Sequence, residues 1–172
     1  MKLDLGCGTK CKEGFDGVDI VDYQQKYVFD LRNPWPFEND SVDEVYSAFL
    51  LPCLTNYNGR FERVHFFNEL FRVMKREAVC SLIIPSWSCA GGYVHPTYHE
   101  LFYEGSLYFL NKGWRETNHP DTTQLYSCDF DSTWGYSMHP NLAIRNQEYQ
   151  QFAIGNYVNA VLDIMVTLKR HS

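Results

Sequence analysis

The sequence predicts an α/β fold built on a mostly parallel sheet, and three observations carry that prediction. Short apolar segments of strand character alternate with loops and one amphipathic helix through the first half of the chain. A Gly-x-Gly turn, Gly6-Cys7-Gly8, closes the first of these segments, and Asp19 and Asp30 stand at the ends of the next two. The chain has 172 residues, 45% of them hydrophobic, which suffices to bury one core without cross-links. No internal repeat or domain boundary is visible, so residues 1–172 read as one domain.

Taken in order, Lys2 to Leu5 reads as a first short strand, Gly17 to Val21 as a second and Lys26 to Phe29 as a third. Residues 30–41 form a loop, because Pro34, Pro36 and the Asn39-Asp40-Ser41 run oppose regular pairing. Val42 to Phe49 is a fourth strand. Arg60 to Lys75 is a helix, since Phe61, Val64, Phe67, Leu70, Phe71 and Met74 recur at steps of three or four and make one apolar face. Val79 to Ile84 is an apolar fifth strand closed by Pro85. Beyond Ser86 the pattern loosens. Thr97 to Asn111 is expected to contain a helix with Pro96 near its first turn. Leu125 to Tyr136 is an aromatic-rich strand, Asn146 to Tyr157 a helix, and Val161 to Lys169 a closing strand.

Charge and composition exclude several classes. Fifteen Lys and Arg against 21 Asp and Glu give a net charge of −6, which argues against broad phosphate neutralisation on nucleic acid. No apolar run approaches the ~20 residues that span a bilayer. Asp4, Gly6 and Gly8 fall where a signal peptide needs its apolar segment, so a cytoplasmic location is expected, with no membrane partner. The six cysteines are scattered and read as reduced thiols. Cys7 and Cys11 have no further ligands nearby. His95 and His99 stand four apart, but Pro96 makes His95 a helix cap and no third ligand is evident, so no metal site is expected. The oligomeric state is not legible.

The candidate chemistry sits in the first three strand ends. Glycines at Gly6 and Gly8 suit a backbone that turns sharply and lies against a ligand with no Cβ in the way. Asp4, beside the turn, offers an acceptor to a cationic amine. In doubly wound folds an acidic residue at the place of Asp19 accepts from ribose hydroxyls; the bland alternative is a strand-end residue. Asp30 and Leu31 offer a carboxylate and an apolar side chain to an adenine amine and ring.

These segments carry a resemblance. Leu3-Asp4-Leu5-Gly6-Cys7-Gly8-Thr9 resembles the first motif of class I S-adenosylmethionine-dependent methyltransferases. Asp30-Leu31 and Pro34-Trp35-Pro36-Phe37-Glu38-Asn39-Asp40-Ser41-Val42-Asp43-Glu44-Val45 resemble their second conserved segment. Asn68-Glu69-Leu70-Phe71-Arg72-Val73-Met74-Lys75 resembles the helix end before their fifth strand. The likeness covers residues 2–85 and is nearest to small type-11-like members. It implies a Rossmann-like, mostly parallel seven-stranded sheet with an antiparallel C-terminal strand pair and helices on both faces. It also implies S-adenosylmethionine as cofactor, with Gly6, Cys7 and Gly8 against its methionine part, Asp4 near its amino group and Asp19 and Ile20 at the ribose. Asp30 and Leu31 would flank adenine, and Phe49 would lie near the sulfonium, where an aromatic face favours a cation; a core aromatic is the equal alternative for Phe49.

The chain departs from the family in places. Lys10 stands where a third glycine is common. Only 13 positions separate Gly6 from Asp19, leaving little room for a first helix. Phe49-Leu50-Leu51-Pro52-Cys53 lacks the His and Glu usual after strand four. Lys75-Arg76-Glu77-Ala78 replaces a glycine turn, and no helix precedes the first strand.

The resemblance implies methyl transfer; beyond it, a small-molecule, sugar-like or polymer-bound acceptor is expected, with O-methylation slightly preferred, although such folds methylate oxygen, nitrogen and carbon alike. His95 or His99 is the candidate general base. Residues from Ser86 to Tyr103, with Trp87, Tyr93 and Tyr98, are expected to wall the acceptor side. Two other readings stand beside it: an S-adenosylmethionine-binding protein without methyltransferase activity, and a nicotinamide dinucleotide enzyme that lacks the third fingerprint glycine.

Overall fold

A computed structural model describes residues 1–55 and 61–171. Seven strands form one sheet: β1 (Lys2–Leu5), β2 (Asp16–Asp19), β3 (Tyr27–Val28), β4 (Val42–Ala48), β5 (Met74–Pro85), β6 (Phe130–Met138) and β7 (Val161–Arg170), in the order β3-β2-β1-β4-β5-β7-β6. β1 to β5 are parallel. β7 runs antiparallel between β5 and β6, so β6 points with the first five. This is the expected mostly parallel sheet with an antiparallel C-terminal pair. The helices are α1 (Glu62–Val73), α2 (Lys112–Asn118), α3 (Pro140–Ala143) and α4 (Gln147–Asn156). No helix of the described residues is long and apolar enough to cross a membrane.

One sheet face carries the core. Leu3, Val45, Cys80 and Leu168 sit side by side across β1, β4, β5 and β7, with Leu82 beside Val166 and Ile84 beside Ile164. Phe66, Phe67, Leu70 and Val73 of α1 join the same core. The other face differs. Thr133, Met165, Thr167 and Lys169 alternate with the core residues of β6 and β7 and are exposed. Over these two strands this face is open to water. Alternating polar residues make that tolerable, because water satisfies the open face of an antiparallel pair.

Several boundaries shift from the sequence reading. β2 ends at Asp19, leaving Ile20 and Val21 exposed beyond it. The apolar stripe of α1 is rotated: Phe61 is the N-cap, about half exposed, and Met74 already belongs to β5. Arg60, the expected first helical residue, lies outside the described residues. β5 begins five residues early because the helix passes straight into it. Residues 75–78 bulge out between the Val42–Met74 and Glu44–Val79 pairs, and Glu77 takes a left-handed φ of 62°. No α-helix forms across Thr97 to Asn111. A 3-10 helix at Glu104–Leu110 precedes α2, which the pattern did not reveal. Asn111 caps α2 by accepting from the Trp114 amide at 2.9 Å. β6 starts at Phe130, five residues later than expected.

Polar clamps join the layers. Arg115 is buried, donating to the Phe109 and Cys128 carbonyls and lying over the Tyr126 ring. Asn68 of α1 accepts from Ser127 and donates to Leu125. Glu69 accepts from the Trp35 amide (2.7 Å) and pairs with Arg72, whose guanidinium donates to the Trp35 and Phe37 carbonyls. This pair holds the proline-bearing loop between β3 and β4 onto α1. Arg72, then the Trp35 amide, keeps the Glu69 carboxyl below its ordinary value of 4.5, against some desolvation. A depressed folded value means the contribution is present above pH 4.5 and is lost as pH falls through the folded value. Arg72→Met is therefore expected to lower the unfolding free energy by about 1–3 kcal/mol, through orphaned carbonyls and carboxylate. Urea titrations at neutral pH and below pH 4.5 check both this loss and a shallower acid dependence in the variant.

Candidate functional site

The C-terminal ends of the parallel strands meet at one edge of the sheet, where open α/β sheets leave a crevice for ligands. A cavity of about 300 Å3 opens there. It is lined by Gly6 after β1, Asp19 and Ile20 at β2, and Phe29 to Arg32 after β3. Leu50, Cys53 and Leu54 after β4, and Thr97 and His99 from the segment after β5, complete it.

The glycine turn needs its glycines. Gly6 and Gly8 have φ of 70° and 55°, a region that costs an L side chain roughly 1–2 kcal/mol. The amides of Gly6 and Cys7 both donate to the Val18 carbonyl, at 2.8 and 3.1 Å. The Gly8 amide donates to Asp19 Oδ2 at 2.9 Å, and Asp19 Oδ1 accepts from the Val21 amide at 3.1 Å. Asp19 thus anchors the turn while bordering the cavity. A Cβ on Gly6 would stand 3.0 Å from Leu50 Cδ1, whereas one on Gly8 would meet no protein atom within 4 Å. Gly8 does not line the cavity, and a Cβ there would meet open space.

Asp4 is elsewhere. It is 3% exposed, accepts from the Lys12 amide at 2.7 Å, and does not line the cavity. Burial pushes its carboxyl up, against the lowering by the Lys12 amide and charge. Its role is to fold the loop after Gly8, where Phe15 packs edge-on to Tyr46 and Lys12 Nζ lies 4.0 Å from the Tyr46 ring centroid. The Cys7 side chain is also turned away. It is buried against Gly17, and burial, then Asp4, pushes its thiol up to about 11. Cys7 does not line the cavity, and its amide is taken by the Val18 carbonyl.

After β3, Asp30 lines the cavity but Arg32 grips its carboxylate, Nη2 to Oδ2 at 2.7 Å and Nε to Oδ1 at 2.9 Å. Leu31 is buried, and its carbonyl accepts from Trp35 Nε1 at 3.0 Å. After β4, Phe49 adopts a left-handed φ of 61°, unusual for an aromatic, while its amide donates to the Ile83 carbonyl at 2.8 Å. The turn leaves the Phe49 ring 42% exposed and outside the cavity lining. Leu50, the next residue, packs over Gly6 instead.

Of the two histidines, His99 is in the wall. Its amide donates to the Pro52 carbonyl at 3.0 Å. His95 is one step back: Nδ1 is 2.8 Å from Thr97 Oγ1, and the ring stacks on Tyr98. A second cavity of about 530 Å3, formed by Gly92, Tyr93, Tyr98, His99, Glu100 and Leu101, adjoins the first at His99. Among the described residues no group of three His, Cys, Asp or Glu is placed to hold a metal.

The structure thus gathers Gly6, Asp19, Ile20, Asp30, Leu31 and His99. It adds Phe29, Arg32, Leu50, Cys53, Leu54 and Thr97, which sequence reasoning did not name as site residues. Phe29 and Arg32 flank Asp30-Leu31, and Leu50 and Cys53 fall in the stretch that departs from the family pattern, so their neighbourhoods were visible while their roles were not.

No protein-family model matches the chain, and no curated protein matches it. Solved structures do. A SAM-dependent methyltransferase from Archaeoglobus fulgidus is similar with a TM-score of 0.64 at 14% identity, over 98% of this chain and 85% of that one. A SAM-dependent methyltransferase from Methanosarcina mazei has a TM-score of 0.59 at 17% identity, over 99% and 92%. The cyclase SpnF has 0.58 at 13%, over 99% and 74%. The chain therefore has the class I, Rossmann-like fold of S-adenosylmethionine-dependent methyltransferases.

The crowding at Gly6 makes a test. Gly6→Ala is expected to destabilise by more than Gly8→Ala, because both lose about 1–2 kcal/mol to the left-handed backbone but only the first also strikes Leu50. Adding Leu50→Ala should recover part of the Gly6→Ala loss in a double-mutant cycle read by urea denaturation.

Proposed function

We propose that the protein is an S-adenosylmethionine-dependent methyltransferase acting on a small-molecule or sugar-like acceptor, with O-methylation preferred. The observation that supports it is one cavity joining the Gly6 turn, Asp19, Asp30-Leu31 and His99 at the strand ends of this fold. The residues suit the cofactor: the left-handed Gly6 brings backbone without a side chain to the cavity, and the Asp19 carboxylate borders it where a ribose would need one.

Bound there, S-adenosylmethionine supplies an electrophilic methyl group on a sulfonium, which becomes a neutral thioether on transfer. The chain's part is to place the reacting pair in line and exclude water. Gly6 and Gly8 keep side chains out of the way, Asp19 accepts from ribose hydroxyls, and Leu31 packs against the base. Leu50 and Leu54 make an apolar wall. The acceptor enters the cavity bounded by Tyr93, Tyr98 and Glu100, and His99, common to both cavities, takes the hydroxyl proton as the new O–C bond forms.

A second reading, cofactor binding without methyl transfer, has two observations in its favour. Arg32 holds the Asp30 carboxylate assigned to adenine, and Phe49 does not line the cavity. The fold also occurs in a protein described as a cyclase, so the fold alone does not name the reaction.

The two readings separate on turnover. Wild type should bind S-adenosylhomocysteine by calorimetry under both, but release it from S-adenosylmethionine only with an acceptor from a panel of hydroxyl compounds under the first. Asp19→Ala is expected to weaken S-adenosylhomocysteine binding by about 1–3 kcal/mol, through lost charge-assisted hydrogen bonds and a loosened Gly8 amide. His99→Ala should lower turnover ~10²-fold with cofactor affinity within a factor of a few. Normal turnover in a folded His99→Ala protein removes His99 as the base.

A further inference from the structure

His99 stands between the two cavities in a segment without regular secondary structure, and the structure shows what holds it there. Its amide bonds to the Pro52 carbonyl at 3.0 Å. On either side of that bond the same guanidinium is at work. Arg63 Nε donates to the carbonyl of Leu51 at 3.2 Å, and Arg63 Nη2 donates to the carbonyl of Glu100 at 2.9 Å. Nη1 also approaches the Glu100 carboxylate at 3.3 Å, and the guanidinium lies 5.8 Å from the Phe102 ring centroid. Residues 51 and 52 thus face residues 99 and 100 across three bonds, two of them from one side chain.

The location of Arg63 is telling. It occupies the first turn of α1, where the helix dipole disfavours a cation, and its side chain is mostly buried. A planar fork with several fixed donors can bridge two carbonyls, whereas an ammonium on a flexible stem presents a single point charge. The neighbouring His95 does not share this support: it leans on Thr97 and Tyr98 within its own segment.

We propose that Arg63 is a positioning residue that fixes the His99 imidazole between the cofactor cavity and the acceptor cavity. It acts through the backbone, binding the Leu51 carbonyl on one side of the His99–Pro52 bond and the Glu100 carbonyl on the other, and it lines neither cavity. The proposal rests on the reading of the first cavity as the S-adenosylmethionine site.

The test follows the imidazole itself. Protein carrying 13C-labelled histidine is titrated with S-adenosylhomocysteine, the His99 signal being assigned by its loss in His99→Gln. In wild type the ligand is expected to shift that signal. In Arg63→Met, calorimetry should give an S-adenosylhomocysteine affinity within about threefold of wild type, while the ligand-induced shift at His99 falls by about half or more. Arg63→Lys, which keeps the charge but has only one donor nitrogen, should recover part of the shift. An equal His99 shift in wild type and Arg63→Met overturns the proposal, as does wild type that binds the ligand with no His99 shift. Should Arg63→Met not fold, a full wild-type shift in Arg63→Lys overturns it. Wild type that fails to bind S-adenosylhomocysteine at all is a separate outcome, and removes the cofactor reading together with this proposal.

Discussion

The rest of the structure depends on how β1 reaches β2. These neighbours are parallel, and a parallel crossover normally takes a dozen or more residues and a helix. Here ten residues, 6 to 15, do it without one. The chain manages by turning at once: Gly6 goes left-handed, and the amides of Gly6 and Cys7 land on the Val18 carbonyl of the strand it must join. Asp19 then fastens Gly8 from the end of β2. The same stitch that closes the crossover also presents a bare backbone turn and a carboxylate to the cavity.

The missing helix has consequences on the sheet's other side. In its place the Asp4 carboxylate, buried beneath the loop, accepts from the Lys12 amide, and Phe15 and Lys12 shield Tyr46. Burying a carboxylate is costly unless it is bonded, and the Lys12 amide supplies that bond to Asp4. Farther along, β6 and β7 leave their polar face to water, and the core lies between the opposite face and α1. A chain of modest length thereby builds a seven-stranded sheet with few helices.

The site shows where local backbone overrides pattern. Phe49 ends β4 in a left-handed conformation, which sends Leu50 rather than an aromatic ring over Gly6. At the other end of α1, Glu77 takes positive φ inside a bulge, so β5 follows the helix without a separate turn. Both are non-glycine residues in a region that sterics penalise, held there by the ladder on either side. The segment after β5 is likewise held by distant partners: the Pro52 carbonyl accepts from the His99 amide, and Arg63 donates to the Glu100 carbonyl, neither near that segment in sequence.

The sequence by itself determined where the strands fall along the chain, the glycine turn, and the acidic residues at the ends of β2 and β3. These are local properties: alternation and apolar runs mark strands, and glycine between an apolar strand and a loop marks a turn, whatever the rest of the chain does. It also located the wall after β5, though as a helix that the structure replaces with irregular chain and a 3-10 turn. Only the tertiary structure decided that Asp4 and the Cys7 sulfur point away from the cavity, that Arg32 occupies Asp30, and that His99 rather than His95 reaches the wall. Each depends on side-chain direction and on a partner tens of residues away or across a turn, such as Lys12 for Asp4 or Arg63 for the Glu100 carbonyl. Residue type and spacing fix which groups arrive at a sheet edge, while the hydrogen bonds and packing of the folded chain fix which of them face the ligand.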